Sequence, residues 1–164
     1  MSVDLNNLKE EIQTILEDAN TTTATVFLSE DLETRVQRVM KVNPHRIPVQ
    51  ASWYPFVSIF IDSKRINQQD IAATQLTAKR RAEIDVKIVG AVWNSTISDE
   101  EVDPADDDCE SLMENIEEII RRSSTLNGAA LWTGVTDVTY HNGPVSEDAH
   151  VRAGFMNLKV SVLY

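Results

Sequence analysis

The chain has 164 residues, 42% of them hydrophobic and 25% charged, a balance that fits one folded domain and argues against wholesale disorder. Its formal net charge of −11 disfavours loose binding to nucleic acid or to an anionic membrane, since both would repel it. The single Cys109 cannot form an internal disulfide, the start Met1-Ser2-Val3-Asp4 lacks the basic flank and apolar run of a signal peptide, and no apolar run approaches the ~20 residues of a spanning helix, so the expected compartment is a cytosol.

Leu5, Leu8, Ile12, Ile15, Leu16 and Ala19 recur at helical spacing while Lys9, Glu10, Glu11 and Glu17 lie off the stripe, which predicts an amphipathic helix over 4–19. Asn20 and three threonines end it. After a strand-like Thr25–Leu28, Ser29 offers an N-cap to Leu32, Val36, Val39 and Met40, so a second, shorter helix is expected at about 30–41, stopped by Pro44. Pro48 and Pro55 bracket an irregular approach to the first clear strand, 56–62. That strand is apolar on almost every side chain, so both of its faces are expected to be covered.

Ile84, Val86 and Ile88 alternate with Glu83, Asp85 and Lys87, which predicts a strand over 83–93 with one wet face. At Val89-Gly90 the phase slips, and the glycine suggests a bulge. The stretch 63–82 between the two strands is too long for a tight hairpin and holds no Gly or Pro. It reads equally well as an extended arm or as a short helix near Gln68–Leu76. Lys64, Arg65, Lys79, Arg80 and Arg81 sit near its two ends.

The charge is concentrated further on. Between Asp99 and Glu118, 11 of 20 residues are acidic and none is basic, which leaves 15 acids and 15 bases elsewhere and a formally neutral remainder. The part over 94–105 reads as an acidic linker. Asp106 or Asp107 is then expected to cap a helix near 109–123, buried through Cys109, Leu112, Met113, Ile116, Ile119 and Ile120. Its acidic first turn and its Arg121-Arg122 end match the helix dipole. Gly128 marks a chain reversal. Two strands close the chain, over 131–140 and 150–164, joined through a turn signalled by His141-Asn142-Gly143-Pro144. A chain ending in so clean an alternation is expected to be pinned inside a sheet.

A search for reactive groups returns little. His45, His141 and His150 have no partner at metal-ligand spacing, the glycines form no phosphate loop, and no Gly-x-Ser-x-Gly occurs. Asp106-Asp107-Asp108 lacks the alternation of a calcium loop and reads as a solvated helix start. Cys109 reads as a small core residue.

The order of elements carries more than any motif. Tyr54-Pro55-Phe56-Val57-Ser58-Ile59-Phe60-Ile61, Ala82-Glu83-Ile84-Asp85-Val86-Lys87-Ile88, the helix Glu110 to Arg122, and Met156-Asn157-Leu158-Lys159-Val160-Ser161-Val162 follow one another in a layout that resembles the tail terminator proteins of long-tailed bacteriophages, also called tail completion or tail-to-head joining proteins. The family has no short diagnostic motif, so no single residue is carried over. Longer segments at 21–50 and 63–82 set this chain apart from the simplest members and keep another neck or head-completion role open.

The resemblance implies a single α+β domain over 1–164, a mainly antiparallel β-sheet flanked by α-helices. It implies a homo-oligomeric ring, typically a hexamer, at the head-proximal end of the tail. Such a ring stops polymerisation of the tail tube protein and meets a head connector or head-completion protein, while DNA passes through its channel without sequence-specific binding. No catalysis, cofactor, metal or membrane enters that picture, and the protein would reside in the virion after assembly in the host cytoplasm. An acidic wall can surround a duplex without gripping it. Two other classes remain: an enzyme assembled from His141, His150, Asp137 and Arg152, and a non-viral acidic adaptor whose 99–118 region imitates nucleic acid.

Within a ring, Lys64, Arg65, Lys79, Arg80 and Arg81 are expected to face Asp99, Glu100, Glu101, Asp103, Asp106, Asp107 and Asp108 across a subunit boundary. The plainer alternative is that both sets are solvated surface. Each exposed pair would contribute only ~0–1 kcal/mol, so the contact would govern register and association rate more than affinity.

Overall fold

Asp4 opens the first helix as its side chain accepts hydrogen bonds from the backbone N–H groups of Asn6 and Asn7, satisfying two donors that the first turn would leave orphaned. From there helix α1 runs over Leu5–Ala19 with Leu8, Ile12, Ile15, Leu16 and Ala19 buried, the predicted stripe. The computed structural model describes residues 4–20, 36–66, 81–94, 104–146 and 149–163. Beyond α1 they form strand β1 (Arg38–Met40), 3-10 turns at Pro44–Arg46 and Ala51–Trp53, strands β2 (Phe56–Ile66) and β3 (Arg81–Asn94), helix α2 (Pro104–Arg122), a 3-10 turn at Leu126–Gly128, and strands β4 (Trp132–Ser146) and β5 (Ala149–Leu163).

The strands make one five-stranded sheet in the order β1-β2-β3-β5-β4, antiparallel throughout except for β1 beside β2. This is the expected α+β architecture, with both helices against the sheet and a shared hydrophobic core. Ala82, Ile84, Val86, Ile88 and Val92 of β3 and Met156, Leu158, Val160 and Val162 of β5 are buried in that core beneath α1 and α2. Each large aliphatic side chain so covered contributes about 1.5–3 kcal/mol. Strand β5 lies between β3 and β4, so the final alternation is indeed held inside the sheet.

Four local expectations are corrected. The helix predicted for 30–41 does not exist over its described part, because β1 pairs in parallel with Phe56–Ser58. Helix α1 fixes that choice: Gln13 Nε2 donates to the Val39 carbonyl at 3.0 Å and Asn20 Nδ2 to the Val36 carbonyl at 2.9 Å. Those carbonyls are thereby held for partners outside their own segment, a tertiary preference that overrides a local one. Helix α2 begins at Pro104, ahead of Asp106 and Asp107, so neither aspartate is its cap; a proline in the first turn loses no helical hydrogen bond.

Gly90 sits in unbroken register between Val57 and Gly154, with no bulge. It is glycine because a Cβ there would come within 2.7 Å of the Met113 sulfur. Finally, Asn142-Gly143-Pro144 is strand, not turn: β4 continues to Ser146, which pairs with Ala149. The ladder instead breaks register at two places in β4, between Val135 and Asp137 and between Pro144 and Ser146, and once in β2, between Ile61 and Ser63. The Gly128 reversal is present, with φ of +90 following positive φ at Leu126 and Asn127.

Both strands flanking the 63–82 stretch also run further than predicted, β2 to Ile66 and β3 from Arg81. The choice between arm and helix for its middle, and the linker over 95–103, fall outside the described residues.

Candidate functional site

The sheet's second face, turned away from the helices, is divided. At one end the segment 41–55 folds across it. Ser58 Oγ donates to the Val42 carbonyl, Tyr54 packs on Phe56 and Trp93 with ring centroids 5.0 and 6.1 Å away, and the His45 ring lies nearly parallel to Phe155 at 6.1 Å. His141 meets the same Phe155 edge-on at 5.1 Å. Under this cover Ser58, Val89 and Ala91 are buried. Burial pushes the Tyr54 phenol up, because the phenolate would lose its hydration.

At the other end the face is open and polar. Lys87 Nζ stands 3.4 Å from Asp62, Asn157 Nδ2 donates to Asp137 at 2.7 Å, and Ser63 Oγ donates to Asp85 at 2.5 Å. Two of the expected basic residues are placed here. The Arg65 guanidinium reaches to 4.0 Å from Asp85 with its side chain 76% exposed, and Arg81 Nε donates to Ser161 Oγ at 2.8 Å. Lys64 pairs with Ile84 in the register and so belongs to the opposite, helix-bearing face of the same end.

The described acids lie elsewhere. Asp107 and Asp108 are exposed in the first turns of α2, next to Cys109, whose thiol approaches the Gly90 carbonyl at 3.8 Å. From Arg81 to Gly90 the strand advances nine residues, about 30 Å at ~3.3 Å per residue. Helix α2 runs back along the sheet, and its far end is tied near Thr133, whose Oγ1 donates to the Ser124 carbonyl at 3.0 Å. Arg121 and Arg122 occupy that far end, where Arg121 pairs with Glu117, and Arg122 with Glu118 at 2.7 Å. The Arg122 hydrogen bond holds the Glu118 carboxyl below its usual range.

Of the described candidates, Lys64, Arg65 and Arg81 thus sit at one end of the sheet and Asp107 and Asp108 at the other, too far apart to pair within a protomer. Lys79, Arg80, Asp99, Glu100, Glu101 and Asp103, and the side chain of Asp106, lie outside the described residues.

The residues considered for an assembled enzyme site do not converge. Asp137 and His141 belong to the face turned from the helices, each engaged with a side chain of β5. Arg152 lies on the helix-bearing face, donating to Asn142 at 2.8 Å with its guanidinium 5.3 Å from the Tyr140 ring centroid. The His150 side chain lies outside the described residues. No group of three His, Cys, Asp or Glu among the described residues is placed to hold a metal ion, and no described helix is long and apolar enough to cross a membrane.

Sequence reasoning missed a cleft of about 330 Å³ between the end of α2 and the start of β4, lined by Glu117, Ile120, Ser124, Trp132, Thr133 and Val135. Trp132 is 54% exposed and its indole lies over Gly134, where a Cβ would come within 2.5 Å of the ring. The signal that was available is the pairing of Trp132 with Gly134, a bulky ring two residues from a position with no side chain on the same strand face. No family model matches the chain, and no curated protein is detectably similar to it.

Proposed function

We propose that the protein is a structural component of a long-tailed phage virion, a ring at the head-proximal end of the tail that resembles tail terminators. In this reading the ring, a homohexamer, ends polymerisation of the tube protein, presents its other side to the head connector or head-completion protein, and lets DNA pass through its channel. Its role is to join, not to catalyse. The observation that carries the reading is the order of the elements: an amphipathic helix, a long antiparallel pair, a dipole-matched helix, and a terminal antiparallel pair built into one sheet.

The charge layout adds a direction to it. With Lys64, Arg65 and Arg81 at one end of each sheet and Asp107 and Asp108 about 30 Å away at the other, a contact between these two sets would be made end to end, between the ring and what lies above or below it.

Two measurements test this. Native mass spectrometry of the purified protein is expected to give a closed oligomer, and particles assembled without the protein are expected to carry tails of uncontrolled length and no heads. Monomers that compete with DNA for a basic partner would favour the alternative of a nucleic-acid mimic, to which the exposed Asp107, Asp108 and Glu110 at the start of α2 lend their one supporting feature.

A further inference from the structure

Both outer edges of the sheet are partly open, and their geometry is matched. Strand β4 is the last of its side and has no partner on its outer edge among the described residues. On the other side β1 covers only Phe56–Ser58 of β2, so Ile59–Ile66 has no outer partner among the described residues. Such rows of unpaired N–H and C=O groups are templates for another strand. We infer that a second copy of this chain supplies it: Ser63–Ile66 of one protomer adds to Leu131–Gly134 of the next, and their sheets run on into one another. The inference rests on the ring reading above and specifies its joint.

Direction is the first argument. Strand β3 is antiparallel to both β2 and β5, and β4 is antiparallel to β5, so β4 runs opposite to β2. A neighbour in the same orientation therefore offers its β2 to β4 as an antiparallel partner, the better-bonded arrangement.

Level is the second. Arg65 pairs with Glu83, Glu83 with Ser161, and Ser161 with Trp132; one step along, Lys64, Ile84, Val160 and Thr133 form the next row, and Ser63, Asp85, Lys159 and Gly134 the row after that. Within these longer edges, Ser63–Ile66 of β2 and Leu131–Gly134 of β4 stand at the same height in the sheet, each beside a register break, after Ile61 in β2 and after Val135 in β4. Passing from one protomer to the next thus needs a rotation and no shift along the strands, the condition for a head-to-tail contact to close into a ring rather than a filament.

Side-chain chemistry is the third. The exposed large apolar residues among those described are Ile66, Leu131, Trp132 and Leu163, and all four lie at this end of the sheet. In the level pairing Arg65 comes opposite Trp132, placing a guanidinium against an exposed indole. Ile66, on the helix-bearing side with its register partner Ala82, comes opposite Leu131 at the mouth of the cleft lined by Ile120 and Thr133. Lys64 comes opposite Thr133, beside Glu117 on the cleft wall.

The test pairs a cross-link with a mass. In Arg65→Cys/Trp132→Cys protein, mild oxidation is expected to link neighbouring subunits into a ladder that ends at the ring, while either single variant stays unlinked. Dimers from Trp132→Cys alone would show β4 pairing with β4 and overturn the inference, as would a double variant that does not link. Since Ile66 and Trp132 are exposed, Ile66→Lys and Trp132→Lys are expected to keep the circular dichroism of the parent and to weaken assembly at least about tenfold in sedimentation velocity. Rings unchanged in both variants would overturn the joint and leave the ring reading standing; a parent protein that is monomeric at every concentration would overturn both.

Discussion

The two faces of the sheet are buried by different means. On one, α1 and α2 lay periodic apolar stripes across an alternating set of β3 and β5 side chains, and nearly every position in the contact repeats at a spacing set by backbone geometry. On the other, cover comes from 41–55, which has no periodicity and holds its place with individual contacts: Ser58 to Val42, Tyr54 on Phe56, His45 over Phe155. The first kind of burial is dense and continuous. The second covers one end only and leaves Asp85, Lys87 and Asn157 on the open part. The difference teaches that one sheet can be covered along its length by periodic helices on one face and only at one end, by individual contacts, on the other.

The comparison is most easily broken on the helix side. Ile116 is fully buried between α2 and the sheet, and Ile116→Ala is expected to cost about 2–5 kcal/mol in denaturant unfolding. A loss under 1 kcal/mol would mean that the helix is not packed as described. Gly154→Val on the same face would drive a Cβ to within 2.3 Å of Met113 Cγ and 3.2 Å of the Tyr140 ring, and is expected to cost about 1–3 kcal/mol by overpacking. Met113→Ala should recover part of that loss by making room.

Effects on the second face are expected to be smaller. Phe155→Ala removes the half-buried ring that His45 and His141 both touch, and about 1–2 kcal/mol should follow from the apolar area returned to water. Near-ultraviolet circular dichroism should change with it, since Trp93 and Tyr54 belong to the same cover. On the open part, Lys87→Ala loses only an exposed ion pair with Asp62 and should shift stability by ~0–1 kcal/mol, less at high salt.

Alkaline titration sharpens the contrast without a mutation. Burial pushes up the phenols of Tyr54, on the loop-covered face, and of Tyr140, on the helix face. Folding therefore favours their protonated forms, and that contribution is fully present below the ordinary tyrosine value of about 10 and is lost as pH rises through the raised folded values. Absorbance at 295 nm should show late ionisation, and Tyr54→Phe and Tyr140→Phe should each remove one late step. Ionisation of either at the ordinary value would mean that its ring is not covered.

Residues that answer to a fixed period were legible in the chain alone. The stripe from Leu8 to Ala19, the alternation Ile84–Val86–Ile88, the face from Cys109 to Ile120 and the terminal run from Met156 to Val162 all lie where their spacing placed them. The dipole logic of α2 was legible, with Arg121 and Arg122 at the correct end, but its start and cap were misplaced because 94–105 was read as a linker. The candidate bases and acids were legible as charge, not as positions. Among the described ones, the separation of Lys64, Arg65 and Arg81 from Asp107 and Asp108 depends on β3 and α2 lying antiparallel to one another over some 30 Å.

What the sequence determined by itself, then, is which side chains must leave water and with what repeat, since amphipathic spacing is a property of the local backbone. Only the tertiary structure decided the rest. Residues 38–40 became a strand because Gln13 and Asn20, far off in the chain, bond the carbonyls of Val39 and Val36. Gly90 and Gly154 are small because Met113 crosses them, and β4 and the Ile59–Ile66 part of β2 have no outer strand among the described residues because the sheet order is β1-β2-β3-β5-β4 with a short β1. Each of these is a contact between residues with no local relation, and a local pattern holds no information about a partner that the fold alone brings near.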